Sequence, residues 1–269
     1  DPTPLAGGLI IISFFTISCF IFFNEIIFDK IYLFLFSIFF IGFLDDVKVI
    51  TDPFKRFLIL SIITLTFVVF TGLNINNVGF WFFNLLINNY FISLIFTTFC
   101  ILFVINGSNF IDGFNGLLGI HSILILFILA VLNFSLGQFE LSLYIFTFCI
   151  SILIFLLFNF PFGITFLGDS GSYLLGCSMA IFCIKTNTLN LDISPVFFAV
   201  LLYYTFFEVF FSYIRKFFYE KSSPFYPDKM HLHMLMFRII DRKLNNKIKS
   251  NYSTSIVINT YYLITIFPV

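Results

Sequence analysis

The chain has 269 residues, of which 60% are hydrophobic and only 10% are charged, and its mean hydropathy is +1.05. Soluble domains carry about 25% charged residues, so this composition excludes a soluble globular protein and indicates an integral membrane protein. The formal net charge is zero, and we expect no nucleic-acid partner. All five cysteines lie inside apolar runs without metal-ligand spacing, which favours small buried side chains.

Apolar runs long enough to span a bilayer, roughly 17 to 25 residues each, follow one another along the chain. They lie near residues 6–23, 27–44, 54–71, 90–106, 116–133, 140–158, 171–187, 195–214 and 252–269. Helices suit such runs because backbone groups inside a bilayer must bond to each other. The sequence predicts an all-α integral membrane protein, a polytopic bundle of about nine transmembrane helices forming a single membrane domain over residues 1–269.

The positive charges are distributed unevenly along the chain. The segment 215–249 holds nine of the 14 Lys and Arg residues, and the positive-inside rule places it in the cytosol. Counting spans backwards puts three further polar loops on that face, at 45–53, 106–116 and 159–171. Of all the cations, Lys30 and Lys185 alone fall outside this face. The polar loops are therefore expected to converge at the cytosolic ends of several helices.

Asp45 and Asp46 end the second apolar run. Adjacent residues on a helix point about 100° apart, so at a frayed end one carboxylate can face a metal ion and the other a substrate. Two neighbouring carboxylates raise each other's proton affinity unless a cation is near. A solvated helix end is the alternative interpretation.

Two glycine-containing loops carry further acids and amides. One helical turn would place Asn109 and Asp112 side by side, and the surrounding glycines let a backbone approach a ligand closely. Asp169 stands in the loop Gly168–Ser172, which opens the seventh run. The N–H groups of such a helix start bind phosphate well, and the carboxylate suits Mg²⁺. A plain turn and a capped helix start are the alternatives.

Further basic and acidic residues are candidates for the same site. Lys55 lies nine residues beyond Asp46 and is expected to reach the same cluster, whereas Arg56 is interpreted as a snorkelling membrane anchor. Glu208 lies inside the eighth run, with Arg215 seven residues on and hence on the same helix face. An ion pair between these two and a contribution of Glu208 to a site are both left open.

His231 and His233 lie in the basic loop 215–250. Two imidazoles without a third His or a Cys are a poor zinc site, so phosphate binding or surface anchoring is favoured, and the loop is expected to contribute to the active site. A patch for anionic lipids is a further interpretation. Acids, Lys and His at one membrane edge suit Mg²⁺-assisted phosphoryl transfer between a soluble nucleotide and a lipid-borne phosphate.

Five stretches then appear in the order typical of one family. They are Thr3–Gly8, Gly42–Asp46 with Lys55, Asn106–Leu117, Asn159–Gly176 and Ser223–His233. Together they resemble the polyprenyl-phosphate N-acetylhexosamine-1-phosphate transferase superfamily (glycosyltransferase family 4). The pattern around His231 and His233 is more similar to its WecA/TagO-like branch than to the MraY-type branch.

The resemblance implies transfer of N-acetylhexosamine-1-phosphate, with GlcNAc-1-phosphate favoured, from a UDP-sugar to undecaprenyl phosphate. UMP is released, and lipid-linked cell-surface polysaccharide synthesis begins. It further implies a multi-pass protein of the bacterial inner membrane whose active site faces the cytoplasm and whose partners are UDP-N-acetylhexosamine, undecaprenyl phosphate and membrane lipid. A homodimer is left open. In the family the Thr3–Gly8 segment follows an earlier helix, so at least one N-terminal helix is expected to be missing from this chain.

The resemblance also assigns roles to individual residues. Mg²⁺ or Mn²⁺ is expected near Asp169, with Asp45 as its second ligand, and an acid of the Asp45–Asp46 pair would orient or deprotonate the lipid phosphate. Asp112 is the remaining catalytic acid and would line the nucleotide side. The nucleotide and phosphates would be bound by Lys55, Asn109, Asn115, Asn159, Ser172, His231 and His233.

Three departures from the family pattern leave rivals open. Asn115 stands where many members have a second Asp, Met234 where many have a third His, and Glu208 where many bacterial relatives have Asp. The rivals are a phospho-MurNAc-pentapeptide transferase, an inactive lipid-binding relative, and a secondary transporter. Transporters hold their charged groups near the bilayer midplane, unlike the clustered acids expected here.

Overall fold

The structure is a computed structural model that describes residues 3–23, 29–220 and 230–267. Every regular element in these ranges is helical. The helices are α1 (Gly7–Phe22), α2 (Lys30–Asp46), α3 (Pro53–Thr71), α4 (Trp81–Ile87), α5 (Tyr90–Ile111), α6 (Leu117–Ser135), α7 (Phe139–Asn159), α8 (Gly168–Leu189), α9 (Pro195–Leu201), α10 (Tyr203–Ile214), α11 (Leu232–Leu244) and α12 (Lys247–Ile266). A π-helical turn, Arg215–Glu220, extends α10.

The predicted all-α polytopic membrane bundle is confirmed. A helix lies over each of the nine apolar runs, although the eighth run forms two helices, α9 and α10, and the short helices α4 and α11 are additional. Within the described residues, α3, α5, α6 and α7 are long and apolar enough to cross a membrane, and the pair α9–α10, bent by 69°, makes a fifth candidate. The other helices are shorter or more polar, so a count of nine spans stays a prediction.

Polar side chains fix where two of the long helices begin. The Asp52 carboxylate accepts a hydrogen bond of 2.9 Å from the Phe54 N–H, and Pro53 takes the first helical position, where its missing N–H costs nothing. The Asn89 side chain accepts from the N–H of Phe91 at the start of α5 in the same way. These caps set the rotation of each first turn and therefore which side chains face the bundle.

The centre of the bundle is α8, which is buried over most of its length and packs against α1, α2, α5 and α6. Small residues allow this close packing. A Cβ atom added to Gly42 of α2 would lie 2.5 Å from the Cα of Ser170, and one added to Gly176 of α8 would lie 2.8 Å from the Cα of Ile105. Because α2 and α5 approach α8 this closely, their polar ends meet its first turn.

The chain before α1 is tied to the chain before α8. Pro4 O accepts a hydrogen bond of 3.0 Å from Phe166 N, and Gly7 N donates to Phe166 O at 2.9 Å. The Thr165 hydroxyl adds a bond of 2.9 Å to Pro4 O. The segment Thr3–Gly8, which resembles the family pattern, thus supports the entry to α8.

The bend between α9 and α10 has hydroxyl partners. Tyr262 of α12 donates a hydrogen bond of 2.6 Å to Leu201 O, and Thr205 donates one of 2.7 Å to Leu202 O. Side chains that bond to helical carbonyls accompany bends of this kind. The bend turns α10 so that Glu208, one turn into it, is buried within the bundle.

Candidate active site

Polar residues from four helices meet where α8 begins. Asp45 ends α2, Arg56 lies in the first turn of α3, Asn109 lies in the last turn of α5, and Asp169 lies in the first turn of α8. We call Asp45, Arg56, Asn109, Asp169 and Ser172 the acid cluster. The sequence predicted that acids from separate helices would converge, and the structure brings these residues together.

Arg56 holds the two acids of the cluster. One guanidinium nitrogen forms an ion pair with Asp45 and lies 3.5 Å from Asp169 Oδ2. The interpretation of Arg56 as a membrane anchor is therefore wrong. Lys55, the expected phosphate ligand, is exposed and forms no ion pair with the described residues. Neighbouring positions on a helix point about 100° apart, and the first turn of α3 aims Arg56 inward.

Replacing Arg56 with methionine is expected to destabilise the protein, because two carboxylates would face each other without a positive charge. The side chains are 24% exposed for Arg56 and 9% for Asp45, so the free energy of unfolding should fall by about 1–3 kcal/mol, between typical values for exposed and buried pairs. The thermal midpoint in detergent measures the change. Lys55→Met is the matched control, and an equal shift in both variants would show that Arg56 does not hold the acids.

Asp46 caps the start of α8. Its two carboxylate oxygens accept hydrogen bonds from the N–H groups of Asp169, at 2.8 Å, and Ser170, at 3.0 Å. Negative charge at a helix N-terminus is favourable. The N–H groups that the sequence analysis offered to a phosphate are thus already used, and Asp46 positions Asp169. A catalytic role for Asp46 itself stays a prediction.

Asn109 and Ser172 surround the carboxylate of Asp169. The Asn109 amide donates to Asp169 Oδ1 and also lies 3.1 Å from the Ser172 hydroxyl. The Ser172 hydroxyl donates to Asp169 O at 3.3 Å. Asn109 was expected beside Asp112, but its amide turns to Asp169 instead. Burial, followed by the neighbouring Asp45, raises the pKa of Asp169 to about 7, although Arg56 and the Asn109 hydrogen bond act to lower it. A cation bound at this carboxylate would therefore favour its charged form.

The turn after α5 holds Asp112 beside the acid cluster. Burial, followed by the charges of Asp169 and Asp46, raises the pKa of Asp112 to about 7. The charge on Asp112 is therefore disfavoured as long as no further cation binds nearby. This proximity joins the turn to the same site, as the sequence predicted.

Asn115 and Asn159 fasten this turn to its surroundings. The Asn115 amide donates to Pro161 O at 3.0 Å. The buried Asn159 accepts from Gly116 N at 2.6 Å and donates to Thr165 O at 2.8 Å. Both side chains are used by backbone groups here, so their predicted part in nucleotide binding stays a prediction and their visible part is structural.

His233 packs on the same turn, and Glu208 of α10 holds the neighbouring His231. His231 Nδ1 lies 2.8 Å from a Glu208 oxygen, and the N–H of Leu232 donates to the other oxygen at 3.0 Å. A Cβ atom on Gly113 would lie 3.1 Å from His233 Nε2. Glu208 thus anchors the start of α11 to α10, while His233 contacts the turn that follows α5. Both imidazoles are buried, and phosphate contacts by them stay a prediction.

Glu208 has a different partner from the one considered in the sequence. Arg215, on the same helix face, donates to Met230 O at 3.1 Å, while Glu208 bonds the residues that begin α11. A buried carboxylate needs charged or N–H partners, and the returning loop supplies them. The part of the motif Ser223–His233 up to residue 229 lies outside the described residues.

The oxygen donors of the acid cluster fit a hard divalent cation. Within residues 3–23, 29–220 and 230–267, no three His, Cys, Asp or Glu side chains are grouped to enclose a metal ion. Mg²⁺ needs fewer protein ligands, because it retains waters and binds substrate phosphates beside one or two carboxylates. Asp45 and Asp169 converge on one guanidinium nitrogen, so a positive charge already stabilises them there. Asp169, 33% exposed, is the more open of the two.

Sequence reasoning missed three features of this site. Arg56, the capping role of Asp46 and the bond of 2.9 Å from Asn115 N to Asn251 of α12 all depend on how distant helices meet. A partial signal existed for Arg56, since it lies in a first turn fixed by the Asp52–Pro53 cap. No local pattern indicated that Asn251 would reach Asn115.

Comparison with known proteins decides the family. The sequence model described as Glycosyl transferase family 4 matches residues 28–187, which include Asp45, Asp112 and Asp169. The chain belongs to this family. The superfamily predicted from the motifs is thereby confirmed.

Relatives of both branches resemble this glycosyltransferase family 4 member. A phospho-N-acetylmuramoyl-pentapeptide-transferase of Dictyoglomus turgidum is 32% identical over 65% of this chain and 56% of its own length. An undecaprenyl-phosphate alpha-N-acetylglucosaminyl 1-phosphate transferase of Thermotoga maritima is 30% identical over 52% of this chain and 41% of its own length. An enzyme of the same name from Yersinia pestis is 27% identical over 87% of this chain and 66% of its own length. The chain spans 56% of the Dictyoglomus turgidum relative, less than two thirds.

Proposed function

We propose that the protein transfers N-acetylhexosamine-1-phosphate, with GlcNAc-1-phosphate favoured, from a UDP-sugar to undecaprenyl phosphate. The observation that carries this proposal is the acid cluster. In it, Asp45 and Asp169 come from separate helices and both contact the guanidinium group of Arg56. The Asn109 amide and the Ser172 hydroxyl lie beside Asp169. Such a site suits a reaction between two phosphates, whose mutual repulsion must be offset.

The proposed reaction is a direct displacement. An oxygen of the lipid phosphate attacks the β-phosphorus of the UDP-sugar, and the bond from that phosphorus to the bridging oxygen breaks. UMP leaves with the bridging oxygen and its electron pair. Asp45 orients the lipid phosphate, and Asn109 directs the carboxylate of Asp169 toward the reacting phosphates.

Mg²⁺ or Mn²⁺ would be held by Asp169 together with Asp45 and would supply charge neutralisation at the phosphate oxygens. The Asp46 cap fixes the backbone of Asp169 in this role. Asp112, Asn115 and the His pair then lie along the nucleotide side. The metal assignment is supported by the convergence of Asp45 and Asp169 on one nitrogen of Arg56, and the nucleotide-side assignments rest on the resemblance to the family.

The location of the site supports a membrane setting for the reaction. The acid cluster lies at the ends of α2 and α5 and at the starts of α3 and α8, which is where a lipid phosphate at the bilayer surface would lie. The cations of α11 and the start of α12 are at this same end, and the positive-inside rule supports a cytoplasmic orientation for the site. We propose the bacterial inner membrane as the compartment.

The experiment that tests the function is UMP release by the purified protein, with and without Mg²⁺. Undecaprenyl phosphate is offered with UDP-GlcNAc, other UDP-N-acetylhexosamines or UDP-MurNAc-pentapeptide. We expect Mg²⁺-dependent release with a UDP-N-acetylhexosamine. Preference for UDP-MurNAc-pentapeptide would assign the MraY-type reaction instead, and no release with any donor would overturn the proposal. A sugar-phosphate adduct on any side chain would refute direct attack.

A further inference from the structure

A polar cavity lies at the end of the bundle opposite the acid cluster. We call it the distal cavity. It is formed by the start of α2, the end of α3, the start of α7 and the end of α8, and it has a volume of about 450 Å³. Small-molecule sites typically measure about 300–1,000 Å³, so the space is large enough for a ligand of the size of a lipid headgroup.

Four charged residues line the distal cavity, two of each sign. They are Asp29, Lys30, Glu140 and Lys185. Lys30 and Lys185 are the two cations that fall outside the basic face of the protein. Among the described residues, none of the four forms an ion pair. One oxygen of Asp29 accepts a hydrogen bond of 3.1 Å from Ile31 N and caps α2. Its other oxygen and the remaining three charged groups are available to a ligand that carries both charges.

An unsatisfied hydroxyl points to a ligand independently. Tyr144 lines the distal cavity and is only 4% exposed, and its hydroxyl has no hydrogen-bond partner in the described part of the chain. Leaving a buried donor unpaired costs about 1–3 kcal/mol. A bound acceptor such as a phosphate oxygen would remove this cost.

Apolar side chains complete the wall and indicate an amphiphilic ligand. They are Ile31, Phe67, Leu73, Leu141 and Leu189. Two of the contributing helices, α3 and α7, are candidate membrane spans, so the cavity lies where a span ends and lipid headgroups begin. Half-buried Lys185 lies deeper than Lys30 and Glu140, which are exposed.

We propose that the distal cavity binds the headgroup of a zwitterionic phospholipid, one that carries a phosphate and a primary ammonium group. Lys185 and the Tyr144 hydroxyl donate to the phosphate, and Glu140 and Asp29 accept from the ammonium group. Lys30 already donates a bond of 3.2 Å to Phe70 O and keeps further N–H groups for the phosphate. A purely anionic headgroup would leave both acids without a counter-charge, which the balanced lining disfavours.

Native mass spectrometry of the detergent-purified protein tests this assignment. The protein is offered equal amounts of phosphatidylethanolamine, phosphatidylcholine and phosphatidylglycerol with identical acyl chains. We expect phosphatidylethanolamine to be retained preferentially, because its ammonium group alone has N–H donors for the acids. Lipid retention is measured without substrates, so the result does not depend on the transferase activity.

Two variants assign the retention to this cavity. Lys185→Met and Glu140→Gln should each lower phosphatidylethanolamine retention about tenfold, as expected for one lost charged hydrogen bond. Glu140 is exposed, so its variant keeps the fold. Lys247→Met, an exposed lysine at the start of α12, is the matched control and should change nothing. Equal retention of the three lipids, preference for phosphatidylglycerol, or unchanged retention in both variants would overturn the proposal.

Discussion

Asp169→Asn is expected to lower turnover by a factor of at least about 10²–10³, the loss typical when a charge that stabilises a transition state is removed. Asparagine has nearly the same shape, so it can still accept the Asn109 hydrogen bond and leave α8 and its packing in place. The protein should therefore still insert into the membrane. UMP release from a UDP-N-acetylhexosamine and undecaprenyl phosphate measures the effect.

Asp192→Asn provides the comparison for this variant. Asp192 is an exposed carboxylate in the connection between α8 and α9, and its loss should leave turnover unchanged. Binding of Mn²⁺, followed by electron paramagnetic resonance, separates metal affinity from catalysis and should weaken only in Asp169→Asn. Near-normal turnover in that variant would remove Asp169 from the metal site.

The sequence predicted the helical stretches well because each is a long apolar run with a polar end. It could not predict the division of the eighth run, since residues 195–214 contain no internal Pro or Gly. The partner of that bend is the hydroxyl of Tyr262, which comes from α12, some 60 residues later. A contact of this range has no signature in the local pattern.

The sequence predicted which acids belong to the site better than it predicted how the side chains are arranged. Motifs identified Asp45 and Asp169 as acids of one site, and the structure brings them together, whereas Asn109, expected beside Asp112, bonds Asp169 instead. The rotation of a helix determines which of two neighbouring residues faces inward. In the first turn of α3 this is Arg56, which pairs with Asp45, and not Lys55. Rotation of the last turn of α2 likewise turns Asp45 toward Arg56 and Asp46 toward the backbone of α8.

Gly42→Ala is expected to damage both stability and turnover, because Gly42 is where α2 meets the start of α8. The added Cβ would lie 2.5 Å from Ser170 Cα and 2.6 Å from Asp169 O, both of them backbone atoms that cannot rotate away. Overpacking of this kind costs about 1–3 kcal/mol. The helices must separate, and the Asp46 cap on the N–H groups of Asp169 and Ser170 would lengthen.

The thermal midpoint and the rate of UMP release together test the Gly42 contact. Leu33→Ala, on the same helix at a side chain that is 49% exposed, is the comparison and should preserve both values. If the close approach positions Asp169, turnover in Gly42→Ala should fall well below normal even at temperatures where the variant remains folded. A variant that is destabilised but turns over normally would show that the α2–α8 contact supports the fold without setting the geometry of the acid cluster.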